Sequence, residues 1–224
     1  MIYKENDVFN LHNGTAKWLK APNGQPSKLN EKQWLQVRTS HFKNWFGDWE
    51  YDAKNASKAL DSNGEPLIVY HGTPPDRYEF SEFLLYNEGI FFAECKYVAR
   101  RYASNYCEDE FGPIKEVFLN IKKPKFIKSV QYKFDGYSGA DANLKKQAER
   151  LKKLHPEFIN TPYRYKEMIR ERLENQKYDG LILEDHSWGT GIDYCKQFAA
   201  FRPDQIKSAT ANAGTFITEP NIYI

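Results

Sequence analysis

The chain has 224 residues, which suits one domain or one domain with a modest extension. Hydrophobic residues make up 41%, too many for a disordered chain, and the aromatic share of 16% favours flat stacking surfaces as well as a tyrosine-rich core. With 32 basic and 30 acidic residues the formal net charge is +2, so the whole molecule has no strong electrostatic attraction for nucleic acid or an anionic membrane.

Cysteine usage and hydropathy bear on where the protein works. Cys95, Cys107 and Cys195 are odd in number and widely spaced, which indicates neither a disulfide framework nor a zinc site. We therefore expect reduced thiols, as in a cytosolic protein. The N-terminus lacks the apolar segment of a signal peptide, and no run of about 18 apolar residues occurs. These features predict a soluble cytoplasmic protein with no membrane contact and no metal.

The N-terminal segment, residues 1–55, contains four of the five tryptophans. Asn30 and Gln33 form a capping-box pattern that predicts the start of a helix, and aromatic residues recur at helical spacing over 34–47. The spacing predicts one amphipathic helix. A stacking platform for nucleic acid would use such a stripe of aromatic rings. We interpret the segment instead as an arm packed on the main domain, residues 56–224.

The main domain is predicted to combine short strands with helices. A β-branched run over 66–70 predicts a buried strand that ends at His71. Further strands are predicted at 89–93, 115–121, 180–183 and 197–201, and residues 122–124 are expected to end the second of these. Helices are predicted at 96–106 and in a two-part insert at about 137–177, and a loop at 186–191. Uneven connections of this kind favour an α+β domain with mostly antiparallel strands. No glycine-rich phosphate loop follows any of these strands, so a dinucleotide would be held by another geometry.

Two segments carry residues suited to binding a nucleotide. His71 follows the first strand and precedes Gly72, which would let a ligand approach the backbone closely. In the second segment, a strand leads into a helix that carries Tyr102, whose ring could stack on a flat heterocycle. Taken singly, a histidine at a strand end and a tyrosine on a helix are more often structural residues.

Taken together, the two segments resemble the signature of the poly(ADP-ribose) polymerase family. The matching residues are His71-Gly72-Thr73 at a strand end, the run Gly-Ile-Phe-Phe-Ala at 89–93, and Tyr102. The resemblance implies that His71 binds a ribose hydroxyl of NAD and that the backbone of Gly72 binds the nicotinamide carboxamide. It also implies that Tyr102 stacks on the nicotinamide ring.

The chain departs from that family at three positions. Phe91 replaces a tyrosine and keeps the stacking face without the hydroxyl. Ala99 replaces a serine that usually binds the carboxamide, so that contact is expected to be missing. Gln197 stands where enzymes of this type place a glutamate that binds a ribose hydroxyl and stabilises the oxocarbenium-like transition state. Glu184 and Asp185, at the end of the preceding strand, are the alternative carboxylates.

The glutamine bears on the type of reaction. A glutamine still accepts a hydrogen bond from the ribose hydroxyl, but it has no charge to oppose the developing cation. Loss of one such contact typically costs about a hundredfold or more in rate. Related enzymes without this glutamate transfer a single ADP-ribose, so the resemblance implies mono-transfer rather than polymer synthesis.

A closer resemblance covers more of the chain. Five blocks, in order at 38–49, 64–73, 178–180, 201–209 and 214–216, are similar to the ADP-ribosyltransferase domain of phage polyvalent proteins. The resemblance implies an ADP-ribosyltransferase fold, with two small, mostly antiparallel sheets around an NAD cleft and helices at the flanks. It also implies NAD as substrate, no metal, and an effector of a phage or mobile element in the cytoplasm of a bacterial host.

We therefore predict a monomeric mono-ADP-ribosyltransferase that modifies a host macromolecule, a protein rather than a nucleic acid. The predicted catalytic positions are His71, Phe91 and Gln197, and the predicted NAD-binding residues are His71, Gly72, Thr73, Phe91, Ala99 and Tyr102. Two alternatives stay open: an NAD-binding pseudoenzyme, in which Gln197 marks lost catalysis, and an NAD glycohydrolase, which transfers ADP-ribose to water. RNA 2′-phosphotransfer needs an arginine- and histidine-rich site that the spacing does not reproduce.

Overall fold

The computed structural model describes residues 4–75, 80–85, 88–104, 112–128, 142–158, 160–187 and 194–224, without the side chains of 128, 142, 143, 162, 184–187 and 194. Six helices lie in these ranges: α1 Glu5–His12, α2 Glu31–Gln36, α3 Ser40–Phe46, α4 Lys96–Ala103, α5 Ala142–Leu154 and α6 Pro162–Asn175. The strands in the same ranges are β1 Val69–Gly72, β2 Ile90–Ala93, β3 Ile114–Leu119, β4 Pro124–Lys128, β5 Gly180–Ser187, β6 Tyr194–Ala200 and β7 Ile206–Ser208.

The seven strands form one mixed sheet in the order β4-β5-β6-β2-β1-β3-β7. Every neighbouring pair is antiparallel except β4 with β5. The two halves of the sheet meet between β1 and β2, where the register contains one residue pair, Tyr70 with Ala93. The α+β fold class is therefore confirmed, and the two sheets expected from the sequence are joined into one at this narrow junction.

Two of the hydrophobic clusters lie on opposite faces of this sheet, since neighbouring residues of β2 and β6 belong to different clusters. The first contains Val69, Phe92, Val117 and Phe198 with the C-terminal Ile222. The second lies between the strands β5 and β6 and the helices α5 and α6, and its members include Leu144, Leu151, Ile169, Leu173, Leu181 and Phe201. Apolar residues three and four positions apart on each helix give it one apolar face, which explains why the helix pair packs on the sheet. Within the insert predicted at about 137–177, the described residues contain the two helices α5 and α6.

The N-terminal aromatic stripe forms two helices instead of the single helix predicted. The side chain of Asn30 caps α2, and it forms the expected capping box with Gln33. Thr39 then ends one helix and begins the next, because its hydroxyl donates to the carbonyl of Gln36 at 2.8 Å and accepts from the amide of Phe42 at 3.2 Å. A threonine that satisfies both helix ends in this way is a strong local stop signal.

The aromatic side chains of these two helices share a cluster with later parts of the chain. Trp34, Phe42 and Trp45 are buried together with Phe118 of β3 and with Phe216. The indole N–H of Trp45 also donates to the carbonyl oxygen of Asp204 at 3.1 Å. Residues of the N-terminal segment therefore pack directly on β3 and on the segments that flank β7.

Strand boundaries differ from the prediction at several places, among them the starts of β1 and β4 and the end of β5. Residues 66–68 precede β1, because Pro66 bridges to Leu60 and the amide of Leu67 donates to the carbonyl of Ala59 at 2.9 Å. His71 consequently lies inside the strand instead of after it. Pro124 starts β4, which the sequence did not predict, as proline is tolerated at the first position of an edge strand. Strand β5 continues through residues 186 and 187, where a loop was expected.

The two cysteines in the described ranges are free thiols that lie side by side. The amide of Cys95 donates to Sγ of Cys195 at 2.9 Å. Burial, followed by the hydrogen bond to Cys95, raises the pKa of the Cys195 thiol. Cys107 lies outside the described residues. Among the helices in the described ranges, none is long and apolar enough to cross a membrane.

Candidate active site

A cleft opens on the sheet where its two halves meet, beside α4. Its volume, counted together with the open solvent at its mouth, is about 730 Å³. Six of the predicted site residues line it: His71, Gly72, Phe91, Ala99, Tyr102 and Gln197. These residues are up to 126 positions apart in the chain, from 71 to 197, and they come from two strands of one sheet half, one of the other, and a helix.

Strand register brings residues of four strands to one face of the sheet at the cleft. Leu183 of β5 pairs with Gln197 of β6, Gln197 pairs with Ala93 of β2, and Ala93 pairs with Tyr70 of β1. Side chains of directly opposed residues in antiparallel strands project from the same face of a sheet. The four residues therefore form a row across both halves, and all four line the cleft.

The His71 imidazole is held in a defined orientation. Its Nδ1–H donates to the carbonyl oxygen of Phe91 at 2.7 Å, since a carbonyl can only accept. The ring also packs edge-on against Phe83 and at an angle against Phe92, with centroid distances of 5.0 and 5.4 Å. A neutral imidazole with its proton on Nδ1 has an acceptor at Nε2. The ring is therefore suited to accept a hydrogen bond from a hydroxyl group.

Gly72 is required by the packing of α4. A Cβ atom at this position would lie 1.8 Å from the carbonyl oxygen of Ala99 and 2.8 Å from the amide nitrogen of Ala103. The helix backbone therefore fills the space that a side chain would occupy, whereas the sequence suggested only close approach of a ligand. This contact fixes the distance between β1 and the helix that carries Tyr102.

The aromatic residues of the cleft differ in exposure. Tyr102 is 37% exposed, so its ring is accessible at the mouth of the cleft. Phe91 packs partly against the cluster under α5 and α6, and Phe92 is buried on the other side of the strand. Ala99 is buried and presents only a methyl group, so it offers no hydroxyl to a ligand.

Gln197 is 6% exposed, and its side chain forms no hydrogen bond with the part of the chain that the structure describes. Because it lines the cleft, its amide is positioned to pair with a bound molecule. Thr73 lies next to the cleft but does not line it, and its buried hydroxyl has no partner among the described residues. The side chains of Glu184 and Asp185 lie outside the described residues, so the alternative carboxylates cannot be compared with Gln197.

Sequence reasoning missed five residues that line the cleft, namely Tyr70, Glu88, Phe92, Ala93 and Leu183. Tyr70, Ala93 and Leu183 belong to the row that includes Gln197, and strand register is what places them at the cleft. Burial, the largest influence, raises the pKa of the Tyr70 hydroxyl, and the nearby Glu116 acts in the same direction. Burial likewise raises the pKa of the Glu88 carboxyl, against the effect of Lys166. Within the described ranges no group of three or more potential metal ligands occurs.

The mixed sheet, the helix across its junction and the cleft they enclose define an α+β ADP-ribosyltransferase fold. The model of the family described as ADP-ribosyltransferase in polyvalent proteins matches residues 61–216, so the chain belongs to this family. The family uses NAD as its substrate. A search of curated proteins and a search of solved structures each find no significant match.

Proposed function

We propose that the protein transfers a single ADP-ribose from NAD to a macromolecular acceptor, with release of nicotinamide. The observation that supports this most is the meeting of His71, Gly72, Tyr102 and Gln197 in one cleft of a chain that belongs to an NAD-using family. We expect the acceptor to be a protein and the enzyme to act as a monomer in the cytoplasm of a bacterial cell, as an effector of a phage or mobile element.

Each proposed role uses a group that lies at or beside the cleft. Nε2 of His71 would accept a hydrogen bond from a ribose hydroxyl, because Nδ1–H donates to Phe91. The backbone of Gly72 would bind the carboxamide of nicotinamide, and the accessible ring of Tyr102 would stack on the nicotinamide ring. Thr73 and Phe91 would support the same binding site. Holding the ring and the ribose in one orientation is the main requirement of a reaction in which the enzyme forms no covalent bond.

Gln197 supports transfer of one unit rather than polymer synthesis. Its amide would accept the hydrogen bond of a ribose hydroxyl, at the place where polymer-forming relatives have a carboxylate. The absence of charge on Gln197 also supports a second candidate, an NAD-binding protein that no longer catalyses the reaction. NAD turnover separates the two functions.

The function is tested by incubating the purified protein with labelled NAD, with and without bacterial lysate, beside a His71→Ala variant. We expect label on a lysate macromolecule and free nicotinamide, both lost in the variant. Label-free nicotinamide release would instead identify a glycohydrolase. NAD binding with neither product would identify the non-catalytic protein and refute the proposal.

Restoring a carboxylate at position 197 is expected to raise the rate of nicotinamide release. In the Gln197→Glu variant the new charge would face the ribose cation, and such a contact is worth about a hundredfold or more. The rate is measured as nicotinamide released under saturating NAD. A Gln197→Asn variant, which keeps the amide and shortens the side chain, is the control and should not accelerate the reaction. An unchanged rate in Gln197→Glu would place the charge-stabilising residue elsewhere.

A further inference from the structure

Glu88 is the carboxylate that lines the cleft among the described residues. It directly precedes Gly89 and β2, and its side chain is only 9% exposed. Gly89 has φ +140°, and a Cβ atom there would lie 3.1 Å from the carbonyl oxygen of Ala200. The close approach of β6 therefore favours glycine at position 89 and fixes the direction in which the chain enters β2.

The surroundings of Glu88 make a purely structural role costly. Burial of a carboxylate is unfavourable unless the charge is well paired and fully hydrogen-bonded. Among the described residues, Glu88 forms an ion pair with Lys166 of α6, at 3.4 Å between Nζ and Oε2, and the side chain of Lys166 is 32% exposed. One long ion pair offsets only part of the cost of burial. Buried carboxylates of this kind in clefts are typical of functional positions.

The proposed reaction is accelerated by a negative charge beside the ribose, and Gln197 carries none. The bond between ribose C1′ and the nicotinamide nitrogen breaks, and the electron pair leaves with neutral nicotinamide. The positive charge remains on C1′ and the ring oxygen until the acceptor forms the new bond and releases its proton to solvent. A fixed carboxylate in a water-poor cleft stabilises such a cation strongly.

We infer that Glu88 supplies the negative charge that stabilises the ribose cation during nicotinamide release, with Lys166 as its ion-pair partner. The inference rests on the proposed transfer of ADP-ribose from NAD. It assigns the charge to the residue before β2, while Gln197 on β6 binds the ribose hydroxyl without charge. Lys166 thereby links the chemistry of the cleft to the helical insert.

The first test compares Glu88→Gln with the wild type and with Glu82→Gln, which removes the same charge at an exposed site of the preceding segment. We expect Glu88→Gln to lower kcat for nicotinamide release about a hundredfold, with and without acceptor. The Kd for NAD and the melting temperature should stay near those of the wild type, and Glu82→Gln should keep the full rate. Adding Gln197→Glu to Glu88→Gln should restore at least about tenfold of the lost rate, because the new carboxylate at position 197 then faces the same cation.

The second test uses the pH dependence of nicotinamide release. Burial raises the pKa of Glu88 and the charge of Lys166 lowers it, so the rate should rise with pH as the carboxyl ionises. His71, Tyr70 and Tyr102 line the same cleft and face the same ligand. Removing the lysine charge in Lys166→Met should therefore move the acidic limb of the profile to higher pH, while the folded protein still turns over NAD. This test does not depend on the folding of Glu88→Gln.

The outcomes separate the two claims. A wild type without NAD turnover would refute the proposed function and the role of Glu88 with it. A wild type that turns over NAD would leave that function standing, and the role of Glu88 would then be overturned by any of four results. Two concern Glu88→Gln alone: a full rate of nicotinamide release, or a loss of transfer to the acceptor with unchanged hydrolysis of NAD. The others are a double variant no faster than Glu88→Gln and an unmoved pH profile in Lys166→Met.

Discussion

The Gly72→Ala variant is expected to lose NAD binding together with a large part of its stability. The added methyl carbon would lie 1.8 Å from the carbonyl oxygen of Ala99, and this contact is with backbone that cannot rotate away. Helix α4 must withdraw by about 1.5 Å to reach an ordinary van der Waals distance. Overpacking of this kind costs about 3 kcal/mol, at the upper end of its usual range. The shift would also carry Tyr102 away from the cleft.

Thermal unfolding and NAD titration measure the two effects of this substitution separately. For a chain of this length, about 3 kcal/mol corresponds to a fall of about 6–12 °C in melting temperature. We expect the Kd for NAD to rise at least about tenfold, equivalent to about 1.4 kcal/mol. The matched control is Gly64→Ala, where φ is +82° and nothing lies within 4 Å of the new atom. It should cost about 1 kcal/mol and leave NAD affinity unchanged. Wild-type affinity for NAD in Gly72→Ala would show that the position of α4 does not determine NAD binding in the cleft.

The Arg38→Met variant is expected to lose about 3–5 kcal/mol of folding free energy, the usual cost of breaking a buried ion pair. The guanidinium donates to Glu65 at 2.8 Å and lies 3.2 Å from a carboxylate oxygen of Glu50. It also donates to two backbone carbonyls and lies 3.8 Å from the ring centroid of Trp34. The side chains of Arg38 and Glu65 are 4% and 1% exposed. Removal of the cation therefore leaves a buried carboxylate without its main partner.

Chemical denaturation of three variants tests the cause of this loss. The double variant Arg38→Met/Glu65→Met should recover part of the stability, because neither charge is then buried alone. Arg202→Met is the control, since Arg202 is 53% exposed and its ion pair with Asp204 should be worth less than about 1 kcal/mol. A double variant that is less stable than Arg38→Met would argue against an uncompensated charge. Because Arg38 and Glu65 join the N-terminal segment to the turn before β1, unfolding should remain a single transition.

Local features of the site were predictable from the sequence, while its long-range pairing was not. His71, Gly72, Phe91 and Tyr102 were assigned from short motifs, and all four line the cleft. Gln197 was assigned by its place on a late strand and lines the cleft as well. These residues could be found because the short motifs around them resemble the signature of a known family, whereas local pattern alone favoured a structural role.

The other residues of the cleft depend on information that the sequence does not display. Leu183, Ala93 and Tyr70 line the cleft because three separate strand pairs place them in one row with Gln197. Strand register follows from the packing of the whole sheet and turns, and a shift by one residue would reverse every side chain. Glu88 became a candidate only when its burial and its contact with Lys166 were known.

Two errors in the fold have local causes. A helical pattern of aromatic residues spans 34–47, but Thr39 interrupts it through hydrogen bonds to both helix ends. The periodicity is compatible with one helix or with two that share a face, and the capping side chain decides between them. Similarly, the β-branched run at 66–70 predicted one continuous strand, but Pro66 and Leu67 pair with residues 59–60 and β1 begins only at Val69.

The junction between the two halves of the sheet has a mechanical consequence. Tyr70 and Ala93 form the register pair between β1 and β2, and the side chain of His71 spans the same two strands through its bond to the Phe91 carbonyl. The histidine that we assign to NAD is thus also a connection between the two halves of the sheet. A ligand that turned the ring away from Phe91 would remove this connection, so we expect NAD binding to change how firmly the two halves are held together.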